Sequence, residues 1–255
     1  MRTLLPFVLA IAVASCGGDQ AKPASQASAS ARSGSDELRR DLAVAASGRE
    51  GGPPAAPAPA SPVAAAQPRV VFLGDSLTAG LGLASDSSYP SLIGQRLRDR
   101  GFAVEVVNAG VSGDTSAGGL RRVDWSLDGD VRVLVVALGG NDGLRGLPIE
   151  EMKKNLAAIL DRAKVRGIPV ILAGMEAPPN FGDEYTAAFR TVYVQLAKEY
   201  SATLIPFLLQ GVAGDAALNQ ADGIHPNGRG AELVADLVWA ELEPVLRRSK
   251  DLHSR

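Results

Sequence analysis

From residue 69 onward the chain alternates short β-branched apolar runs with longer amphipathic stretches. The apolar runs are predicted strands, at residues 69–73, 103–107, 131–138, 169–173 and 203–207. The amphipathic stretches are predicted helices, at residues 89–100, 116–126, 149–165, 185–200 and 230–246. Strands that alternate with helices usually pair in parallel, because each connection crosses over the sheet. We therefore predict an α/β domain over residues 69–248, with a five-stranded parallel sheet covered by helices on both faces.

The segment before this domain has a different composition. Ala, Ser, Pro and Gly dominate residues 16–68, so the segment has little large apolar surface to bury. We expect it to be a disordered Ala/Pro/Ser-rich tether. Residues 249–255 are predicted to form a polar tail.

The first fifteen residues have the layout of a signal peptide. Arg2 precedes an apolar run at residues 4–13, which is too short to span a bilayer. The run leads to Val-Ala-Ser-Cys at residues 13–16, and Cys16 is the only cysteine of the chain. This tetrapeptide resembles the lipobox of bacterial lipoproteins, which implies that Cys16 is acylated. With Gly17 after the cysteine rather than aspartate, we expect an exported lipoprotein anchored to the outer membrane and facing the periplasm.

The charge balance argues against one class of partner. The formal net charge is -2 at pH 7, whereas proteins that neutralise several phosphates usually present a basic face. We expect no nucleic-acid partner, and we expect the chain to be a monomer.

Four short motifs follow one another along the predicted domain. They are GDSL at residues 74–77, SGDT at 112–115, GGND at 139–142 and DGIHP at 222–226. The first three come directly after the first three predicted strands, and ligands of open parallel sheets gather at the carboxyl ends of the strands. The fourth motif precedes the last predicted helix, in a loop that can return to that edge. We therefore expect all four motifs to meet at one site.

These motifs supply the groups needed for a serine nucleophile. Ser76 needs a base, and an imidazole can take its proton and later return it to a leaving group. His225 is the candidate base, because His253 lies in the polar tail. Asp222 could orient and stabilise the imidazole of His225. The alternative reading is a tight turn in which Asp222 only accepts hydrogen bonds from backbone amides.

An ester hydrolase also needs donors that stabilise the oxyanion of the transition state. The candidates are the backbone N–H groups of Ser76 and Gly113 and the side-chain amide of Asn141. The alternative is that the glycines of these motifs only form turns and that Ser112 or Thr115 caps a helix. Both readings can hold together.

Other catalytic templates fit less well. Residues 74–78 lack the second glycine of the G-x-S-x-G nucleophile elbow. With two histidines and one cysteine in the chain, a zinc site has no support, and no metal is expected. Asp75 and Asp114 are expected to order their loops rather than to act chemically.

Together the four motifs resemble the SGNH subgroup of the GDSL hydrolases, named for the residues found here at Ser76, Gly113, Asn141 and His225. The similarity extends over residues 69–246 and looks closest to the bacterial acyl-CoA thioesterases, lysophospholipases and arylesterases. It implies a three-layer α/β/α, flavodoxin-like fold. It also implies a serine esterase that needs no cofactor and cleaves small-molecule esters and thioesters through an acyl-Ser76 intermediate.

The resemblance further suggests where the acyl group binds. Leu144, in the loop at residues 143–148, and Pro179 and Phe181, in the segment at 178–182, are expected to line an acyl groove. The alternative is that both are ordinary surface loops. Two rival functions remain open from the sequence: a carbohydrate O-deacetylase with the same catalytic groups, and a noncatalytic lipoprotein with the same fold.

Overall fold

The computed structural model describes residues 67–248 and Leu252. Cys16, the predicted signal peptide and the tether up to residue 66 lie outside the described residues, as does the predicted tail apart from Leu252. The described chain forms a five-stranded sheet in which every neighbouring pair of strands is parallel. The strands are β1 Arg69–Gly74, β2 Glu105–Gly110, β3 Val131–Ala137, β4 Val170–Ala173 and β5 Thr203–Ile205, in the spatial order β2-β1-β3-β4-β5.

Seven α-helices are present within the described residues. They are α1 Ser76–Ala79, α2 Tyr89–Asp99, α3 Ser116–Ser126, α4 Gly140–Leu144, α5 Ile149–Val165, α6 Asp183–Tyr200 and α7 Gly228–Arg247, and a 3₁₀ helix spans Pro179–Phe181. Helix α2 packs against α7, whereas α5 packs against both α3 and α6, so the helices form two groups with the sheet between them. The predicted α/β fold is therefore confirmed. The one-turn helices α1 and α4, which begin beside the ends of β1 and β3, were not predicted.

The burial of the central strands explains why they could be predicted from the sequence. Every residue of β1 after Arg69 is buried, and so is every residue of β3 except Arg132. A strand buried on both faces appears in the sequence as an unbroken apolar run. The edge strand β2 is more exposed, and it begins two residues later than predicted.

Side-chain caps define where the helices at the carboxyl edge of the sheet begin. Asp75 caps α1, Thr115 caps α3 by accepting from the N–H of Gly118, and Asn227 caps α7 by accepting from the N–H of Gly230. Each cap satisfies a backbone donor that the first helical turn leaves unpaired. Asp75 and Thr115 belong to two of the motifs, and Asn227 directly follows a third. The caps therefore also hold the motif loops in place.

Two glycines allow close approaches near the site. A Cβ atom at Gly110, the last residue of β2, would overlap the backbone of Ala79 in α1. Gly139 has a φ of 108°, and a Cβ atom there would overlap the hydroxyl of Tyr193. Helix α1 can therefore rest directly on the end of β2, and the chain can turn sharply from β3 into α4.

The structure describes one residue of the predicted polar tail. Leu252 is fully buried, and its carbonyl accepts a hydrogen bond from the N–H of Ala103 at 2.9 Å. This residue of the predicted polar tail therefore packs against the segment that leads into β2.

In the part of the chain that the structure describes, no helix is both long and apolar enough to cross a membrane.

Candidate active site

Three predicted residues form a chain of short contacts at the carboxyl edge of the sheet. Ser76 is the first residue of α1, immediately after the turn that leaves β1. Its Oγ lies 2.8 Å from Nε2 of His225, and Nδ1 of the same ring lies 2.7 Å from Oδ2 of Asp222. Ser76 and His225 are 149 positions apart in the sequence, so only the fold brings them together.

Asp222 has two roles that the sequence presented as alternatives. Its Oδ1 accepts hydrogen bonds from the N–H groups of Ile224 and His225, at 2.9 and 3.0 Å, while its Oδ2 faces the imidazole. The backbone hydrogen bonds and then the bond to the His225 ring lower the pKa of Asp222 to about 2. The tight turn is therefore present, and it aims an ionised carboxylate at the imidazole.

Gln220 links the loop of His225 to the loop that follows α1. The N–H of Gln220 donates to the carbonyl of His225 at 2.7 Å. Its side-chain amide donates to the carbonyls of Leu81 and Pro226, at 2.7 and 3.0 Å. These bonds connect the segment that carries the base to the segment that carries Ser76.

The predicted oxyanion-hole residues lie on adjacent loops. Asn141, in α4, lines the same cleft as Ser76 and His225. Its Nδ2 donates to the carbonyl of Asp114 at 3.0 Å, so it contacts the loop that carries Gly113. Gly113 has a φ of 83°, as its residue type allows, but it is not among the residues that line the cleft.

Asp75 orders the serine loop, as the sequence suggested. It is almost fully buried, its Oδ1 accepts from the N–H of Leu77 at 3.0 Å, and its Oδ2 lies 3.4 Å from Nδ2 of Asn141. Burial raises the pKa of Asp75 to about 6, although the hydrogen bonds from Leu77 and Asn141 act in the opposite direction. The carboxyl one residue before Ser76 therefore has a pKa well above that of an ordinary aspartate.

Ser76 and His225 line a cleft of about 410 Å³, and its walls are largely apolar. The apolar side chains of the walls include Leu144, Met175, Pro178, Pro179, Phe207, Leu209 and Ile224. Leu144 and Pro179 are therefore in the cleft wall, and their contact with an acyl group stays a prediction. Phe181 does not line the cleft, because it packs on Gly146 and on Tyr185, with ring centroids 5.3 Å apart. Ile224 was missed, although its position beside His225 in the DGIHP motif was a signal for it.

Residues 72–233 match the GDSL-like lipase/acylhydrolase family. The chain belongs to this family. The resemblance noted from its four motifs is thereby confirmed, and the protein is a GDSL-type ester hydrolase.

Several relatives of this GDSL hydrolase cover most of its described domain. Esterase TesA of Pseudomonas aeruginosa is 44% identical over 183 residues, which is 71% of this chain and 91% of that protein. Thioesterase 1/protease 1/lysophospholipase L1 of Escherichia coli K12 is 36% identical over 184 residues, or 72% of this chain and 87% of that protein. The crystal structure of TesA aligns with a TM-score of 0.67 at 42% identity and covers 70% of this chain and 99% of that one. The SGNH-hydrolase family esterase AlinE4 aligns with a TM-score of 0.59 at 43% identity and covers 71% and 96%.

An arginine beneath the motif loops of this GDSL hydrolase was not predicted. Arg122 of α3 donates from Nε to the carboxylate of Asp114 at 2.7 Å. Its Nη1 donates to the carbonyl of Ala109 at 2.6 Å, and its Nη2 to the carbonyl of Gly74 at 2.7 Å. One guanidinium therefore joins the end of β1, the end of β2 and the SGDT loop. The sequence shows only two consecutive arginines here, with nothing that separates Arg122 from its exposed neighbour Arg121.

A second buried network joins the helices that follow the SGDT and GGND motifs. The carboxylate of Asp142 accepts from the N–H of Ser116 at 2.8 Å and from its hydroxyl at 2.6 Å. Asn155 of α5 donates to the same hydroxyl at 3.1 Å. Asp142 thus connects the start of α3 to α4, beside Asn141. Within residues 67–248, no three His, Cys, Asp or Glu side chains are grouped as a metal site would require.

Proposed function

We propose that this GDSL hydrolase is a serine esterase that hydrolyses carboxylic esters and thioesters through an acyl intermediate on Ser76. The single observation that carries the proposal is the 2.8 Å contact between Ser76 Oγ and His225 Nε2, both of which line the cleft. At this distance the imidazole can take the hydroxyl proton as the oxygen attacks.

The reaction proceeds in two halves. Ser76 Oγ attacks the substrate carbonyl while His225 Nε2 accepts its proton, and a tetrahedral oxyanion forms. The oxyanion collapses, the bond to the alcohol or thiol breaks, and His225 returns the proton to that leaving group. Water then attacks the acyl-Ser76 ester and gives a proton to His225, and the acid leaves as Ser76 recovers its proton. Asp222 stabilises the imidazolium in both halves through the 2.7 Å contact with Nδ1.

The oxyanion is held by the backbone N–H groups of Ser76 and Gly113 and by the side-chain amide of Asn141. The position of Asn141 in the cleft wall supports this assignment. Preorganised donors of this kind each contribute about 10²–10³ in rate in serine hydrolases.

The acyl group lies against the apolar walls, with Leu144 and Pro179 among its contacts. Phe181 supports this wall indirectly, through its packing on Gly146. The names of the relatives, which include an arylesterase of Vibrio mimicus and a thioesterase/lysophospholipase, suggest aryl esters, acyl-CoA and lysophospholipids as substrate types to test.

Removal of the nucleophile tests the proposal. In Ser76→Ala, we expect the rate of p-nitrophenyl butyrate hydrolysis to fall by about 10⁴-fold or more, because the hydroxyl that carries the acyl group is absent. Circular dichroism should remain unchanged. The matched control is Ser85→Ala, which removes an exposed hydroxyl in the loop after α1 and should retain full activity. Turnover by Ser76→Ala close to that of the control would refute the assignment.

We also propose that the protein is an exported lipoprotein, acylated at Cys16 and anchored to the outer membrane on its periplasmic side. The Val-Ala-Ser-Cys sequence and Gly17 support this location. Metabolic labelling with a radioactive fatty acid should mark the full chain but not Cys16→Ser. Equal labelling of the two would exclude Cys16 as the site.

A further inference from the structure

Glu176 lies where the catalytic cleft meets a second groove. It follows β4 and lines the cleft together with Ser76 and His225. It also lines the neighbouring groove, where Arg190 and Phe207 are found. About half of its side chain is exposed, at 48%. A substrate that extends from Ser76 towards this groove therefore passes a carboxylate.

The charged groups around the cleft are unevenly distributed. Of the described residues that line it, Asp75, Glu176 and His225 are the titratable ones, and none is a lysine or an arginine. Arg190 lies 3.7 Å from the Glu176 carboxylate, but on the side of the groove, so it neutralises Glu176 only in part. Arg145 reaches the same edge of the sheet without lining the cleft, and its Nη2 donates to a backbone carbonyl. The cleft therefore presents negative charge to an entering substrate.

We propose that Glu176 is a specificity-determining residue, which makes this hydrolase prefer esters with an uncharged or cationic leaving group over esters whose leaving group carries negative charge. The inference rests on the proposed serine esterase function of the same cleft. A carboxylate in a cleft with apolar walls repels an anion more strongly than one on an open surface, because the walls focus its field. Phosphate groups, such as those of acyl-CoA and lysophospholipids, meet this repulsion, whereas a neutral aryl ester does not.

Two thioesters of the same acid provide the test. Butyrylthiocholine has a cationic leaving group and butyryl-CoA an anionic one, while the bond that breaks is the same. The measured quantity is the ratio of kcat/KM for butyryl-CoA to kcat/KM for butyrylthiocholine. In Glu176→Gln we expect this ratio to rise about three- to tenfold at low ionic strength, mainly through KM, as for unit charges that interact through water. At an ionic strength of about 1 M the rise should largely disappear.

Two further variants separate the effect of charge from that of structure. Glu105→Gln removes a similarly exposed glutamate, at 44%, which is also paired to an arginine but lies at the opposite edge of the sheet. It should leave the ratio unchanged. Arg190→Gln removes the counter-ion of Glu176, so the ratio should fall. If the ion pair had only a structural role, the loss of either partner would shift the ratio in the same direction.

The possible results are distinct. An unchanged ratio in Glu176→Gln, an equal rise in Glu105→Gln, or shifts of the same sign in Glu176→Gln and Arg190→Gln would each overturn the inference. A wild-type protein that hydrolyses neither p-nitrophenyl butyrate nor the two thioesters would refute the proposed esterase function itself. Opposite shifts that weaken with salt would support the role of Glu176.

Discussion

Replacement of Arg122 by methionine tests whether one side chain holds the motif loops together. Methionine keeps much of the unbranched apolar stem but removes the guanidinium, and with it the bonds to Asp114, Ala109 and Gly74. The side chains of Arg122 and Asp114 are only 18% and 17% exposed, so water compensates little for the loss. We expect a large decrease in the free energy of unfolding.

The magnitude follows from the partners that remain. Removal of one member of a buried ion pair costs about 3–5 kcal/mol, because the other charge stays buried without compensation. Each carbonyl that loses a donor adds about 1 kcal/mol. The cost is smaller for the carbonyl of Gly74, because it keeps a hydrogen bond from the N–H of Val111 at 3.0 Å. Partial exposure of Asp114 reduces the ion-pair cost, and we therefore expect a total of about 3–5 kcal/mol.

Urea unfolding followed by circular dichroism measures this change directly. The matched control is Arg121→Met, because Arg121 is exposed on the same helix, and its loss should change the free energy of unfolding by less than about 0.5 kcal/mol. The kcat of Arg122→Met should also fall, since the loops of Ser76 and Gly113 lose their common anchor. A loss of stability below about 1 kcal/mol, or equal to that of the control, would refute this reasoning.

Two other variants test polar side chains that line the same cleft as Ser76. Because burial raises the pKa of Asp75 from 3.8 to about 6, its contribution to stability is fully present below pH 3.8 and is lost as the pH rises through 6. The loss is about 3 kcal/mol at most, and in Asp75→Asn the free energy of unfolding should vary less between about pH 4 and pH 8. An unchanged pH dependence in urea unfolding would contradict this. Asn141→Ala should lower kcat for p-nitrophenyl butyrate by about 10²–10³ and change KM little. A loss that appears only in KM would exclude Asn141 as an oxyanion donor.

The sequence alone determined most of the strands and helices of the domain and supplied the candidate residues of the site. The unbroken apolar runs of β1 and β3 were readable because burial on both faces removes polar residues from a strand. The amphipathic stretches of α3 and α5 were predicted to the residue, because one face of each helix meets the core. Ser76 and His225 could be proposed as nucleophile and base because few residue types can serve in these roles.

The tertiary structure decided what depends on distant segments meeting. It placed β1 between β2 and β3 and set the 2.8 Å contact between Ser76 and His225 across 149 positions. It selected Arg122 rather than Arg121 as the anchor of the loops, and it turned Phe181 away from the cleft while burying Leu252. Periodicity and motifs report the local environment of a residue. Contacts such as these depend on how strands and helices pack, and local sequence does not encode that packing one residue at a time.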